Sequence, residues 1–327
     1  MPDLRPALHP TNLADHFHFE LPPEGFHPTK ATDEELRRYG LPHRPDPRKF
    51  PKAARLWLHS MRRIRRFIAP SLEIRSDLLH GNGAALHDLT DTTDSWSGLT
   101  ITGNAPYISI WGTWIVPAVT SHSHRHSVSS IWIGLDDNSR SLLQAGTEQD
   151  YTLGQGVYFA WFEWFPAFSV VISNFPILPG QAVAVLVGNV EDLAGGNQGV
   201  VTFMNYSTGV ALTPILVPIP KADFNGKTIT PPLPGVPFAR ASWILERPSF
   251  PQDGKPVPGL LADYGEASII EGDAIGTSTS GGKTFANGVF VGENDQGTLH
   301  QMLGDDGITV ISEASEVPGL KFFYTGP

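Results

Sequence analysis

The chain has 327 residues, 40% of them apolar, with 33 Gly, 29 Pro and no cysteine. That excludes disulfides, thiolate catalysis and Cys-bound zinc, while leaving enough apolar material for a sizeable core cut by many turns. The formal charge of −10 splits into +3 over residues 1–90 and −13 over residues 91–327, and an acidic body argues against nucleic acid as a partner.

The first twenty residues contain His, Asp, Glu and Pro but no apolar run, so no signal peptide is visible. No later stretch is long and apolar enough to suggest a membrane partner. Thr32-Asp33-Glu34-Glu35 is a capping box, which starts a short helix expected to stop at Tyr39-Gly40. Pro51 suits the first turn of a second helix, and Trp57, Met61, Ile64 and Ile68 form one apolar stripe along it, up to Pro70. Its other faces carry Arg55, Arg62, Arg63, Arg65 and Arg66, with no acid between Lys52 and Ala69. The charge split favours docking of this basic helix on the acidic body, as an inhibitory or chaperoning pro-segment would dock. A solvated basic face, or a helix for a nucleic-acid or membrane surface, is the alternative.

From Trp96 onward the pattern changes to short strands between Gly, Pro, Asn and Asp turns, at 97–102, 107–116, 128–135, 141–147, 157–164, 168–173, 182–188, 199–205, 240–246, 266–274, 297–303, 308–312 and 320–324. So many strands without helical periodicity predict an all-β fold, an antiparallel β-sandwich. Side chains alternate across a strand. Ile131, Ile133 and Leu135 therefore share a core face, while Ser130, Trp132, Gly134 and Asp136 share a polar and aromatic surface face. By the same parity Leu143 and Ala145 oppose Gln144 and Glu148, and Phe162 and Trp164 oppose Trp161, Glu163 and Phe165. Glu163 is a carboxylate among four aromatic rings. Desolvation by those rings should raise its pKa and suit it to general base and acid work at low pH. A structural Glu paired with a backbone group or an Arg would read the same way.

Five blocks in order carry a resemblance. They are Gly112-Thr113-Trp114-Ile115-Val116-Pro117, Ser130-Ile131-Trp132-Ile133-Gly134-Leu135-Asp136, Leu142-Leu143-Gln144-Ala145-Gly146, Phe162-Glu163-Trp164-Phe165-Pro166 and Ala241-Ser242-Trp243-Ile244-Leu245-Glu246. In order and spacing the stretch from Trp96 to Pro327 resembles the eqolisins, a family of glutamic peptidases. The resemblance implies two long, bent antiparallel sheets whose concave face is a peptide cleft. It also implies a catalytic pair, Gln144 and Glu163, with Trp132, Asp136, Glu148 and Trp161 towards the substrate. The implied reaction is hydrolysis of peptide bonds in a peptide or unfolded protein, without metal or cofactor and outside the cell. Phe162 and Phe165 stand where the family usually has Tyr, so two hydroxyls near the site are missing. On this reading residues 1–90 are an N-terminal extension, a possible pro-segment, and residues 91–327 the catalytic domain.

Other signals are weaker. His122, His124 and His126 alternate as metal ligands could, but a Ser-rich loop suits them better. Ser280-Gly281-Gly282-Lys283-Thr284 hints at a phosphate loop without the strand-then-helix context that such a loop needs. A carbohydrate-active sandwich using Glu163 with Glu148 or Asp136 is the competing enzyme class, and a non-catalytic binding module the third reading.

Overall fold

The computed structural model describes residues 7–81, 92–121, 125–138, 140–188, 198–233, 238–280, 283–290, 297–316 and 319–326. Thr32 caps helix α1 (Asp33–Arg38) as the sequence predicts: its hydroxyl accepts from the Glu35 N–H, and the Glu35 carboxylate accepts from the Thr32 N–H. Helix α2 (Pro51–Met61) is shorter than the apolar stripe suggests. Residues Arg66–Ile68 leave it to form a strand parallel to Val210–Leu212. Backbone pairing there overrides the helical spacing, which β-branched and aromatic side chains support only weakly.

The rest is all-β and overwhelmingly antiparallel. Its organising element is the strand Trp96–Ile115, which the sequence suggested as two. Its first half pairs with Phe238–Glu246 on one side and Gly297–Leu303 on the other. Its second half pairs with Ala182–Gly188 and Glu266–Ser280. The bend falls where the register jumps from Phe238 opposite Tyr107 to Arg240 opposite Thr102, an irregularity of the kind that lets a strand turn a corner. Glu266–Ser280 then pairs with Leu320–Tyr324, that strand with Val310–Ser315, and that strand with Gly297–Leu303. The ladder therefore closes on itself. Two separate sheets, as the sequence implied, give way to one hydrogen-bonded system because a single bent strand serves both layers.

One layer continues from Phe238–Glu246 through Ser127–Asp136, Leu142–Thr152 and Gln155–Phe165 to Ser169–Ile172 and Leu72–Arg75. Its inner face carries Ile131, Ile133, Leu135, Leu143, Ala145, Phe162 and Trp164, and these share one core with Val183, Val185, Val187, Val201 and Phe203 of the other layer. The parity reading holds here residue by residue. Helix α2 covers the outer face of that second layer, placing Trp57 and Met61 with Trp111, Ala184 and Met204. No helix among the described residues is long and apolar enough to cross a membrane.

Candidate active site

The strands Ser127–Asp136, Leu142–Thr152 and Gln155–Phe165 are neighbours, and their register writes two rows across the layer. Gly134, Gln144 and Glu163 form one row; Trp132, Gly146 and Trp161 form the next. Residues opposite each other on antiparallel strands bring their Cβ atoms to about 4.5–5.5 Å, so Gln144 and Glu163 are cross-strand neighbours. Gly146 is required between the two indoles, because a Cβ there would lie 2.6 Å from the Cβ of Trp132 and 2.2 Å from the Ile131 carbonyl oxygen.

This face is not the open surface expected from the sequence. Trp132, Gln144, Glu148, Trp161 and Glu163 are completely buried. Trp96, Leu142 and Ile244 pack with the two indoles. The remaining cover comes from the N-terminal part of the chain, where Leu79 exchanges two 2.9 Å backbone hydrogen bonds with Ser249. The next residue, His80, enters the cluster. Its backbone N–H donates to Glu163 Oε2 at 3.2 Å, and its ring stacks on Trp161 with centroids 3.4 Å apart and planes 10° from parallel. Its Nε2 lies 2.8 Å from Glu148 Oε2 and its Nδ1 2.7 Å from Ser169 Oγ. The Ser169 hydroxyl donates its single proton to Glu163, so Nδ1 is the nitrogen that carries hydrogen and donates to Ser169. Gly81 follows at φ +72°, and its N–H donates to Glu246 Oε1 at 2.9 Å.

Glu246 is a carboxylate that sequence reasoning passed over as a site residue. It also accepts from the Trp132 indole N–H at 2.6 Å, and it stands opposite Trp96 and Ser130 on the two neighbouring strands. The resemblance block ending at Glu246 contained the signal, because parity puts it on the same face as Ser242 and Ile244. Asp136 is drawn elsewhere: it accepts from Arg240 Nε at 2.6 Å and from the Asn138 N–H at 2.8 Å. His122 and His124 lie outside the described residues, and the His126 ring sits 5.5 Å from Phe250.

Burial dominates the electrostatics. It pushes the Glu163 carboxyl well above the usual carboxylate range, against the pull of the Ser169 hydroxyl and the His80 N–H, and Glu246 pushes the same way. Burial, with the neighbouring Asp150 carboxylate, raises Glu148 well above its ordinary value too. Burial, then Arg75, holds His80 well below the ordinary imidazole value, so the ring is neutral. Among the described residues, neither amide atom of Gln144 and not the Oε1 of Glu163 has a hydrogen-bond partner. A buried unpaired polar atom costs roughly 1–3 kcal/mol. Three such atoms lie on these two facing residues, and the nearby Gln144 amide also draws the Glu163 pKa down.

Comparison with known proteins identifies the family. A sequence model of the peptidase A4 family matches residues 94–311. The chain is 26% identical over 212 residues to aspergillopepsin-2 of Aspergillus niger, covering 59% of this chain and 66% of that protein. It is 27% identical over 117 residues to scytalidopepsin B of Scytalidium lignicola, covering 35% of this chain and 41% of that one. The chain thus spans just under two thirds of the first relative and less than half of the second. The structure resembles scytalido-glutamic peptidase bound to a transition-state analogue inhibitor, with TM-score 0.52 at 20% identity over 71% of this chain and 98% of that one. A member of the eqolisin family in complex with the tripeptide Ala-Ile-His gives TM-score 0.50 at 18% identity, with the same coverage. At these identities the two structures speak for the fold alone.

Proposed function

The chain belongs to the peptidase A4 family, and from that premise we propose that it is an acid-acting endopeptidase with Gln144 and Glu163 as its catalytic pair. The observation that carries the reading is the facing of these two residues, buried and with hydrogen-bonding capacity left over. Ionised Glu163 takes a proton from a water, which attacks the scissile carbonyl carbon. The Gln144 amide N–H groups donate to the oxyanion that develops. Glu163, now protonated, returns the proton to the leaving amine as the C–N bond breaks. Acid pH suits this site because Glu148, Glu163 and Glu246 share one buried cleft. Ionising all three together is costly, and Glu163 becomes the one ionised carboxylate at acid pH once water and substrate replace the Leu79–Gly81 segment and relieve the burial that raises it.

In this reading the face of the strands Ser127–Asp136, Leu142–Thr152 and Gln155–Phe165 is the peptide cleft, and the segment Leu79–Gly81 occupies it in the intact chain. Residues up to 90 are then a restraining extension on the catalytic part, held by apolar packing of α2 and by strand pairing more than by surface charge. Hydrolysis of a denatured protein, followed against pH for the wild type and Glu163→Gln, tests the assignment. Turnover at acid pH that Glu163→Gln abolishes is expected. Activity confined to neutral pH, or retained by the variant, would sink it.

A further inference from the structure

The imidazole of His80 sits in a pocket whose three walls each match a different part of the ring. Trp161 supplies the floor, in face-to-face contact. Ser169 Oγ meets Nδ1 at 2.7 Å and Glu148 Oε2 meets Nε2 at 2.8 Å. All three wall residues and His80 itself are buried. The two polar groups stand on opposite sides of a flat ring with one donor and one acceptor nitrogen, which neutral histidine supplies and the planar guanidinium of arginine, with donors only, does not. An aliphatic or phenyl group in the same space would remove one hydrogen bond from the buried Glu148 carboxyl and one from the buried Ser169 hydroxyl, which would keep its bond to Glu163. The backbone N–H of the same residue donates to Glu163, so the pocket adjoins the carboxylate that acts on the peptide bond.

We propose that Trp161, Glu148 and Ser169 form a side-chain subsite that selects histidine in a peptide substrate, beside the bond to be cleaved, with His80 as the chain's own occupant. The inference rests on the peptidase reading and deepens it. Selectivity comes from leaving polar walls unpaired against every other side chain, which discriminates more sharply than a change in apolar size. Burial, with Asp150 beside it, raises Glu148, so at acid pH its protonated carboxyl can donate to the Nε2 of a neutral imidazole, the form in which the pocket holds His80.

The experiment uses the full-length chain carrying His80→Ala, which leaves the pocket to an external ligand. Terminally blocked tripeptides Leu-His-Gly, Leu-Ala-Gly and Leu-Phe-Gly are titrated by calorimetry, and longer peptides differing only at that central residue are compared for kcat/KM. The histidine peptide should bind about tenfold or more tightly than the other two, the scale of one lost buried hydrogen bond. In the same background, Glu148→Gln should cut that advantage to about threefold or less. Equal affinities, or tighter binding of the phenylalanine peptide, would overturn the subsite and leave a plain aromatic slot. Selective binding without cleavage would uphold the subsite and remove the peptidase reading; cleavage without selectivity would do the reverse. If the alanine chain does not fold, His80→Ser, whose short side chain also leaves the pocket open, is the second background, and the same ranking is expected from it.

Discussion

The backbone N–H of His80 donates to Oε2 of Glu163 at 3.2 Å, joining residues 83 positions apart. A peptide segment of the chain itself thus lies against the proposed base. Gly81 is the weak point of that contact. It holds φ +72°, and a Cβ there would come within 2.7 Å of Gln144 Nε2 and of Leu142 Cδ2. Gly81→Ala adds that crowding to a left-handed backbone costing about 1–2 kcal/mol, so the segment should lift. Hydrolysis of a short peptide at mildly acid pH is expected to rise up to about tenfold. Unchanged rates would show that residues 79–81 restrain nothing. A truncation near residue 90 is the poorer experiment, because it also removes the strands Phe17–Phe19, Arg66–Ile68 and Leu72–Arg75 from the ladder.

Gln144→Ala should lower kcat by roughly 10²–10³, the usual effect of losing one oxyanion donor. Glu163→Gln should remove turnover while the fold persists, since it exchanges a buried carboxyl for a neutral group of like shape. Circular dichroism and melting checked beside the rates separate the two effects. A near-normal rate from either variant means that another pair does the chemistry.

The Ser169 hydroxyl donates to Glu163 and holds its pKa down against burial. Ser169→Ala removes that donor from the ionised form, so the Glu163 pKa should climb. The base exists above its pKa, hence the acid limb of the kcat/KM profile should move to higher pH. If the limb stays where it is, Glu163 is not the group that sets it.

Asp273 offers a test of stability rather than rate. Its carboxyl is buried and raised to about 7 by that burial, despite a backbone hydrogen bond from Ala274. A folded-state pKa above the unfolded value means that stability is lost as pH rises from about 4 towards 7, on the order of 4 kcal/mol at most by neutrality. Asp273→Asn should therefore raise Tm at pH 7.5 and leave it nearly unchanged at pH 4. A constant difference between the two proteins at both pH values would remove the linkage.

Much of the fold is legible because strand parity and capping chemistry are local. Thr32 with Glu35 fixes the start of α1, and the alternation in 128–135 and 159–165 separates core from site face without any structure. The pairing of Gln144 with Glu163 is not local: it depends on a hairpin register that the residues between them do not spell out. Burial of Trp132 is hidden from the sequence for the same reason. Its polar and aromatic neighbours suit an open cleft, and nothing near it in sequence announces Leu79, His80 or Gly81. The strands Leu8–Pro10 and Phe17–Phe19 are three residues each, too short for a period of two to declare itself. Glu246 carries no visible role in the sequence, because a carboxylate at a strand end reads as solvated until its partners, Trp132 and Gly81, are in place.

The bent strand Trp96–Ile115 has a consequence for how the chain comes into being. Leu99 and Thr100 lie between partners from Phe238–Glu246 and from Gly297–Leu303, both made long after them. At about 5–20 residues per second on the ribosome, the neighbour at Leu299 arrives roughly ten to forty seconds after Leu99. Until then a long, β-rich segment waits with bare edges. Nascent chains of this protein should lean on holding chaperones, and structure should spread late and all at once, after the last strands emerge.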